Sequence, residues 1–474
     1  MENENIQLLF MLLPKLPLIL RVAILHILRL SEPARYLDLQ SAIIVSVLRS
    51  FLAPDRPVSI SKTQRLTLKD PGIKGRIWVS KYTAPPPPET AVRDALVSAI
   101  DRLSDAAGSR APTRGPDILP VEAEWTGYRA EAKPNSTLPD ITEKEKYDEL
   151  MKECSSATTI LYLHGGAYYL LDPSSHRPTT KKLAKLTQSR CYSVRYRLAP
   201  QNPFPSALLD ALVSYLTLLY PPPNSFHEPV RPEHIVFAGD SAGGNLALAL
   251  LQTILEIRRQ GRTIAWFGQE RELPLPAGAA LSSPWVDLTL SSQSWERNAE
   301  FDYLPSMTAK VADEFRPCEA WPAEPPRVSL YADDHLLDHP LVTLVMAQDW
   351  TGAPPIFMST GWELLADENK FIALKLKKNG VKVIFEEYEA MPHCFAMVLT
   401  KLPAARRCFD GWAGFIRTVV ENQESITPKA ITVKAKTLEE VELDLESEDL
   451  VEEQVQERVR AQIKARLASP PSKL

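Results

Sequence analysis

The sequence is poor in the features that mark disulfide-bonded and zinc-binding proteins. It has five cysteines among 474 residues, and they lack the close pairs that are typical of zinc or redox motifs. These scattered residues are Cys154, Cys191, Cys318, Cys394 and Cys408. We therefore expect a reducing compartment and no metal centre.

An excess of basic charge and a secretion signal are also missing. The formal net charge is -5, so there is no bulk electrostatic reason to bind nucleic acid. The chain begins Met1-Glu2-Asn3-Glu4-Asn5, which is acidic where a secretory signal would be basic. We expect an intracellular protein that is not secreted, either cytoplasmic or peripherally bound to a membrane such as the endoplasmic reticulum.

A long uninterrupted apolar run is the third absence. The stretch 8–30 is strongly apolar, but it is interrupted by Pro14, Lys15, Pro17, Arg21, His26 and Arg29. A membrane-spanning helix needs about 20 apolar residues with few charges, so this stretch is a poor span. Two interpretations stay open: a segment lying on a membrane surface, or helices packing over a catalytic domain as part of a lid. We therefore treat residues 1–60 as an apolar helical cap segment.

The rest of the chain divides by its rhythm of strands and helices. Residues 61–156 are predicted to form a connector with edge strands, and a regular strand, loop and helix alternation follows over 157–422. Such alternation favours a mostly parallel sheet with helices on both faces, where ligands bind beyond the carboxyl ends of the strands. An insertion over 287–353 is rich in aromatic residues and predicts a cap. The charged residues 423–474 predict a partly disordered or helical tail.

One stretch has the pattern of a nucleophile elbow. An apolar run at 235–238 leads into Gly239-Asp240-Ser241-Ala242-Gly243, and a helical sequence follows. A serine at a sharp strand-to-helix turn exposes its oxygen, and flanking glycines give the backbone the room to turn. Ser241 is therefore the candidate nucleophile, with Gly239, Asp240 and Gly243 as supporting residues.

Two further stretches supply candidate partners for the serine. His164-Gly165-Gly166 follows a predicted strand, and amides of this loop together with that of Ala242 would form an oxyanion hole. His164 itself is expected to brace the loop. His393 lies on a loop beyond the last predicted strand of the catalytic domain, where a base can reach the serine.

The acid of a catalytic triad should lie between serine and histidine in the chain. Glu363 lies in the loop after the predicted strand at 356–359, and Asp367 lies at the start of the next helix. Acidic residues are expected at helix N-termini for structural reasons alone. Glu363 is therefore our first choice, with Asp367 as the alternative.

Four ordered motifs resemble those of the hormone-sensitive-lipase branch of the α/β-hydrolases, and most closely those of steryl acetate hydrolases and related esterases and deacetylases. They are His164-Gly165-Gly166, the segment 196–205, Gly239 to Asn245, and Met391 to Phe395. The resemblance covers about 157–420. It implies an α/β-hydrolase fold with Ser241 as nucleophile, His393 as base, Glu363 as acid, and Gly165, Gly166 and Ala242 as oxyanion donors. Glutamate stands where the family usually has aspartate, and Ala167 replaces a frequent third glycine.

These observations predict a serine hydrolase that cleaves carboxylic esters through an acyl-enzyme. Its expected partner is a small-molecule ester with a short acyl group on a lipophilic alcohol, with deacetylation as one such reaction. No metal or organic cofactor is expected. Two alternatives are a non-catalytic small-molecule receptor on the same fold and a membrane-surface scaffold built on residues 8–30.

Overall fold

The fold is built on one large sheet. The computed structural model describes residues 12–53, 57–105, 115–305, 315–446 and 451–468. The remaining parts of the predicted cap segment (1–11 and 54–56), connector (106–114), insertion (306–314) and tail (447–450 and 469–474) lie outside the described residues. The strands are β1 (Ile77–Ala84), β2 (Val121–Tyr128), β3 (Thr159–Leu163), β4 (Arg190–Arg195), β5 (Ile235–Asp240), β6 (Ile264–Trp266), β7 (Gln269–Arg271), β8 (Gly278–Ser282), β9 (Ile356–Gly361), β10 (Val383–Tyr388), β11 (Lys429–Val433) and β12 (Glu440–Glu442).

Ten of these strands form the central sheet in the order β1-β2-β4-β3-β5-β8-β9-β10-β11-β12, and β6 pairs with β7 in a separate ribbon. Every neighbouring pair from β4 to β11 is parallel, whereas the outer pairs are antiparallel. The central strands β3, β5 and β8 are buried along their whole length. Burial on both faces explains their almost continuous apolar sequences.

Helices cover both faces of the sheet, and two apolar cores lie between the layers. The helices are α1 (Leu16–Ile27), α2 (Leu39–Leu52), α3 (Ile60–Thr67), α4 (Ala91–Asp105), α5 (Glu143–Lys152), α6 (Pro173–Thr187), α7 (Ser206–Leu219), α8 (Ala242–Arg259), α9 (Ser294–Arg297), α10 (Ala366–Lys378), α11 (Phe395–Val398), α12 (Pro403–Glu421) and α13 (Glu452–Ala468). The predicted mostly parallel sheet with helices on both faces is therefore confirmed.

The parallel strands bring distant loops to one edge of the sheet. Strand β3 ends just before His164, and β5 ends just before Ser241. The carboxyl ends of β9 and β10 lead into the loops that carry Glu363 and His393. Four predicted site residues thus lie beyond the carboxyl ends of neighbouring strands, the edge where such sheets bind ligands.

The chain after residue 422 differs from the predicted tail. Strand β11 pairs in parallel with β10 and extends the central sheet, and β12 pairs with β11. Helix α13 buries Val455 and Val459 in the main core, and the Glu452 carboxylate lies 2.8 Å from the Lys375 ammonium. The prediction of a tail apart from the catalytic domain is wrong for these residues. The helix over 452–468 agrees with the helical alternative, whereas the strand β11 and the packing of the valines against the core were not predicted.

The cap also differs from the prediction in part. In the insertion over 287–353, the described residues form only the four-residue helix α9, short 3-10 turns and irregular chain. Backbone amides there are satisfied by aspartate side chains, since Asp287 accepts from the amides of Thr289 and Ser291. This local bonding competes with helix formation. The described part of the insertion that the sequence predicts as a cap therefore contains little regular helix.

The N-terminal segment is helical. Helix α1 buries none of its residues, whereas α2 buries Ser41, Ala42, Val45 and Val47. Among the described helices, none is both long enough and apolar enough to cross a membrane.

Candidate active site

The turn at Ser241 has the geometry of a nucleophile elbow. Ser241 lies between β5 and α8 with φ 52° and ψ −123°, a conformation that non-glycine residues rarely adopt. A Cβ atom on Gly243 would lie 2.0 Å from the carbonyl oxygen of Leu163, and one on Gly239 would lie 2.5 Å from that of Gly243. Both glycines are therefore required for the close approach of β3, β5 and α8, as the sequence predicted.

The acid and base candidates face each other. The Nδ1 atom of His393 lies 3.4 Å from Oε1 of Glu363, and both side chains are buried. Hydroxyl groups hold the carboxylate: Ser283 donates to Oε2 at 2.9 Å, and Thr360 donates to Oε1 at 3.1 Å. These contacts fix the Glu363 carboxylate on the Nδ1 side of the imidazole.

The alternative acid, Asp367, makes different contacts. Its carboxylate accepts a hydrogen bond of 2.9 Å from the amide of Ser294 and pairs with Arg297. Asp367 thus binds α9 from its own place in the first turn of α10, where acidic residues are favoured. Between the two candidates, it is Glu363 that the structure brings to His393.

The surroundings of His393 favour its protonated form. Burial by itself lowers the pKa of His393, but the neighbouring Cys394 and the Glu363 carboxylate raise that pKa well above its ordinary value. Burial raises the pKa of the Cys394 thiol to about 11, so this thiol is neutral near pH 7. We therefore attribute the raised pKa of His393 mainly to the charge on Glu363.

In the predicted oxyanion loop, one of the backbone amides already donates a hydrogen bond within the protein. The amide of Gly165 donates a hydrogen bond of 3.2 Å to Oδ1 of Asp240, so it is turned away from the role of oxyanion donor in this conformation. Gly166 has φ 111°, and Ala167 follows with φ 52°, which turns the loop sharply past the elbow. Of the three predicted donors, Gly166 and Ala242 remain.

Asp240 is the centre of a buried polar network beneath this loop. Its carboxylate accepts from the Tyr162 hydroxyl at 2.7 Å and lies 3.3 Å from Nε2 of His176. Burial by itself raises the pKa of Asp240, but His176 and the hydroxyl bring it below its ordinary value. For His176 the signs are reversed: burial by itself lowers its pKa, and the Asp240 carboxylate raises it. The net pKa of His176 is above its ordinary value. The ion pair fixes the residue that precedes Ser241.

His164 has the contacts of a bracing side chain. Its ring stacks on that of Tyr196 with centroids 4.2 Å apart, and its carbonyl oxygen accepts a hydrogen bond of 2.6 Å from the Tyr196 hydroxyl. Burial and the neighbouring His176 lower the pKa of His164 to about 3. A histidine that stays neutral in this way can hold the loop without titrating near pH 7.

Three residues of the site were missed by the sequence reasoning: His176, Ser283 and Asp302. His176 lies in the first turn of α6, where no sequence pattern indicates its contact with Asp240. Ser283 directly follows β8, and its place at the carboxyl end of a central strand was an available signal. Asp302 lies in the irregular insertion, where no local pattern marks it.

Within the described residues, no group of three His, Cys, Asp or Glu side chains could hold a metal ion.

A serine elbow at the end of a central parallel strand, followed in the chain by a glutamate and a histidine that face each other, is the arrangement typical of α/β-hydrolases. Comparison with protein families agrees, because residues 160–397 match a family described as α/β-hydrolase fold. The match spans half of the chain. The protein therefore belongs to this family.

Individual relatives point the same way. An acetyl-hydrolase from Streptomyces hygroscopicus is 32% identical over 55% of this chain and 75% of its own length. An esterase from Acinetobacter venetianus is 32% identical over 56% of this chain and 77% of its own length. Among solved structures, a hormone-sensitive lipase from a metagenome library has a TM-score of 0.51 and 23% identity, and the alignment covers 81% of this chain and 99% of that one. The predicted α/β-hydrolase fold is confirmed, and the relatives named acetyl-hydrolase and esterase bear out the predicted resemblance to esterases of this fold.

Proposed function

We propose that this protein hydrolyses carboxylic esters through an acyl-enzyme on Ser241. The observation that supports this best is the Glu363–His393 pair at 3.4 Å, on the same sheet edge as a serine held in an elbow. Relatives named acetyl-hydrolase and esterase support the same enzyme class. The catalytic roles below are assigned to this chain on that basis.

Ser241 is the nucleophile, and His393 is the general base. Nε2 of His393 takes the hydroxyl proton as the serine oxygen bonds to the carbonyl carbon, while Glu363 stabilises the imidazolium at Nδ1. Collapse of the tetrahedral intermediate breaks the bond to the alcohol oxygen, which leaves with the proton from His393. Water then attacks the acyl carbon as His393 takes its proton. Collapse of the second tetrahedral intermediate breaks the bond to Ser241 Oγ, which regains the proton from His393 as the acid is released.

The negative charge of both intermediates falls on the former carbonyl oxygen. The amides of Gly166 and Ala242 are assigned as its donors, with the N-terminus of α8 adding a favourable dipole. Asp240 and its ion pair with His176 hold the Gly165 amide and thereby the course of the loop. This chemistry requires no metal or organic cofactor.

The substrate is assigned as a short acyl group on a lipophilic alcohol, and an acetyl group is the simplest case. Aromatic residues of the insertion lie beside the base, since the ring of Tyr303 is 6.1 Å from that of His393. Trp295 packs with Leu364, next to the acid. Apolar surroundings of this kind at the acid and the base favour a lipophilic alcohol over a charged one.

The test combines covalent labelling with turnover. A fluorophosphonate should label the wild-type protein at Ser241, and Ser241→Ala should abolish both labelling and the hydrolysis of a short-chain aryl ester. A receptor that only binds esters would give neither labelling nor turnover. Esters of one lipophilic alcohol with acyl chains of increasing length should show kcat/KM falling with length; a maximum for long chains would overturn the assigned acyl preference.

We further propose that α1 contacts an anionic membrane surface. Its exposed apolar side chains include Leu16, Leu20, Ile24 and Ile27. Lys15, Arg21 and Arg29 lie among them, and no acidic residue occurs between 12 and 31, although the whole chain carries a net charge of -5. An apolar face with basic neighbours is the composition that binds the interface of anionic lipids.

Vesicle sedimentation tests this surface. The protein should bind vesicles that contain phosphatidylserine more strongly than pure phosphatidylcholine vesicles. The variant Leu20→Asp/Ile24→Asp should lose that binding, whereas Leu66→Asp, which changes an equally exposed leucine on α3, should keep it. Equal binding of both variants, or a wild-type protein that instead forms dimers which the α1 variant disrupts, would overturn the proposal.

A further inference from the structure

Asp302 lies in the insertion and is fully buried. Its carboxylate accepts hydrogen bonds from four main-chain amides. Two are local, from Tyr303 at 2.7 Å and Leu304 at 3.2 Å. The other two are distant: Oδ2 accepts from the amide of Leu364 at 2.8 Å, and Oδ1 accepts from the amide of His393 at 3.1 Å.

The two distant amides belong to the loops of the acid and the base. His393 is the assigned base, and Leu364 directly follows the assigned acid, Glu363. The Asp302 carboxylate therefore fixes the backbone of both loops. It thereby sets the distance between the backbones from which the Glu363 and His393 side chains extend. Charge-assisted hydrogen bonds in a buried place are strong and directional, so this arrangement leaves little freedom to either loop.

Asp302 is itself held from the N-terminal segment. Arg49 on α2 donates from Nε to the carbonyl oxygen of Asp302 at 2.8 Å, and from Nη2 to those of Ala299 at 2.9 Å and Glu300 at 3.0 Å. A single guanidinium thus donates hydrogen bonds to three backbone carbonyl groups of the insertion. Its planar set of donors suits this task in a way that an ammonium cannot match.

Helix α2 in turn contacts α1. Lys15, which directly precedes α1, donates from its ammonium to the carbonyl oxygen of Ser50 at 3.2 Å, and that ammonium lies 5.2 Å from the ring centre of Phe51. A continuous set of contacts therefore runs from the exposed helix α1 through α2 and Arg49 to Asp302, and from there to the loops of the acid and the base.

We propose that Asp302 and Arg49 are positioning residues that keep the Glu363 carboxylate next to the His393 imidazole. The N-terminal helix α2 thereby helps to align the acid and the base. This proposal rests on the proposed function. The two residues act through the backbone of the acid and base loops and leave the elbow itself unchanged.

The first experiment replaces Asp302 with asparagine. The variant keeps the shape of the side chain but turns one acceptor oxygen into an NH2 group, which meets the amide of Leu364 or His393 donor to donor. We expect kcat to fall on the order of 10- to 100-fold, with KM changed by less than about threefold, because substrate binding is not affected. The thermal midpoint of each variant is measured in parallel.

The second experiment uses Arg49→Met, with Arg49→Lys and Arg35→Met as matched variants. Arg35 lies in the same N-terminal segment, is exposed and pairs with Glu32, three residues away. Arg49→Met should lower kcat about tenfold, Arg49→Lys should restore part of the loss, and Arg35→Met should match the wild type. If Asp302→Asn does not fold, the Arg49 series still tests the proposal.

The pH dependence of kcat/KM distinguishes a loss of Glu363–His393 alignment from a loss of folding stability. Loss of alignment weakens the contact of Glu363 with His393, so the acidic limb of kcat/KM should move to lower pH in Arg49→Met and in Asp302→Asn. An unmoved limb, together with a loss of kcat that only follows the folded fraction, would overturn the proposal. Absence of Ser241-dependent labelling in the wild type would instead refute the proposed function, so the two failures are distinguishable.

Discussion

The two halves of the site are built in different ways. The elbow half, residues 163–167 and 239–243, is fixed by close backbone approach between adjacent strands. The acid–base half, residues 359–364 and 391–394, is held by side chains from distant segments, above all Ser283 and Asp302. The elbow is therefore marked in the sequence by a local glycine pattern, whereas the acid–base alignment depends on side chains that no local pattern marks.

The largest expected effect tests which carboxylate completes the acid–base half. Glu363→Gln removes the charge beside Nδ1 of His393, and we expect kcat for a short-chain aryl ester to fall on the order of 10³-fold. The matched variant Asp367→Asn should lose less than about threefold, because Asp367 binds Ser294 and Arg297 instead. Comparable losses in the two variants would contradict the assignment of Glu363.

The next effect tests the elbow half. Gly243→Ala places a Cβ 2.0 Å from the carbonyl oxygen of Leu163 and 2.5 Å from that of His164, and both are backbone atoms that cannot move aside. We expect kcat to fall about 100-fold or more and stability to fall by about 2 kcal/mol or more.

Gly414→Ala is the matched control for this substitution. It lies on α12, and the nearest atom to its added Cβ is the Arg417 guanidinium at 4.0 Å. This variant should keep full activity and gain about 0.5–1 kcal/mol, because alanine is a better helix former than glycine. Thermal unfolding and turnover measure both variants, and a fully active Gly243→Ala would show that the elbow tolerates more than its geometry indicates.

A smaller effect tests the long-range contacts. The Ser283 hydroxyl donates to Glu363 and accepts a hydrogen bond of 3.2 Å from the amide of Cys394, so it joins the acid loop to the base loop. Ser283→Ala should lower kcat about tenfold with KM nearly unchanged, which corresponds to about 1.4 kcal/mol for one buried hydrogen bond to a charged group.

Ser189→Ala provides the comparison for Ser283. Ser189 is also buried, and its hydroxyl lies 2.6 Å from that of Thr187, away from the acid and base loops. We expect a similar loss of stability in both variants but an unchanged kcat in Ser189→Ala. If both variants lose kcat equally, the loss reflects general destabilisation and not the alignment of Glu363.

The same division explains what the sequence could predict. The fold could be predicted from the apolar strands and from the glycines around Ser241, which are local patterns. The order of serine, glutamate and histidine along the chain then indicated which edge of the sheet carries the site. The contacts of Asp302, which lies in irregular chain, depend on the packing of the insertion against two loops that are 62 and 91 residues away. The placement of β11 and α13 was likewise missed, because their apolar residues are few and only the assembled domain offers them a partner surface.

The smallest effect, a shift in pH dependence, tests the electrostatics of the two halves. His393 must be neutral to accept the proton of Ser241, and its raised pKa means that kcat/KM should rise with pH to a midpoint above about 6.5. His164 cannot produce this limb, because its pKa of about 3 keeps it neutral throughout. Glu363→Gln should move the midpoint to lower pH, whereas Cys394→Ala should move it less, because a thiol with a pKa of about 11 carries no charge in this range. A midpoint that stays in place in Glu363→Gln would assign the limb to another group, of which His176, also raised in pKa, is the candidate in the elbow half.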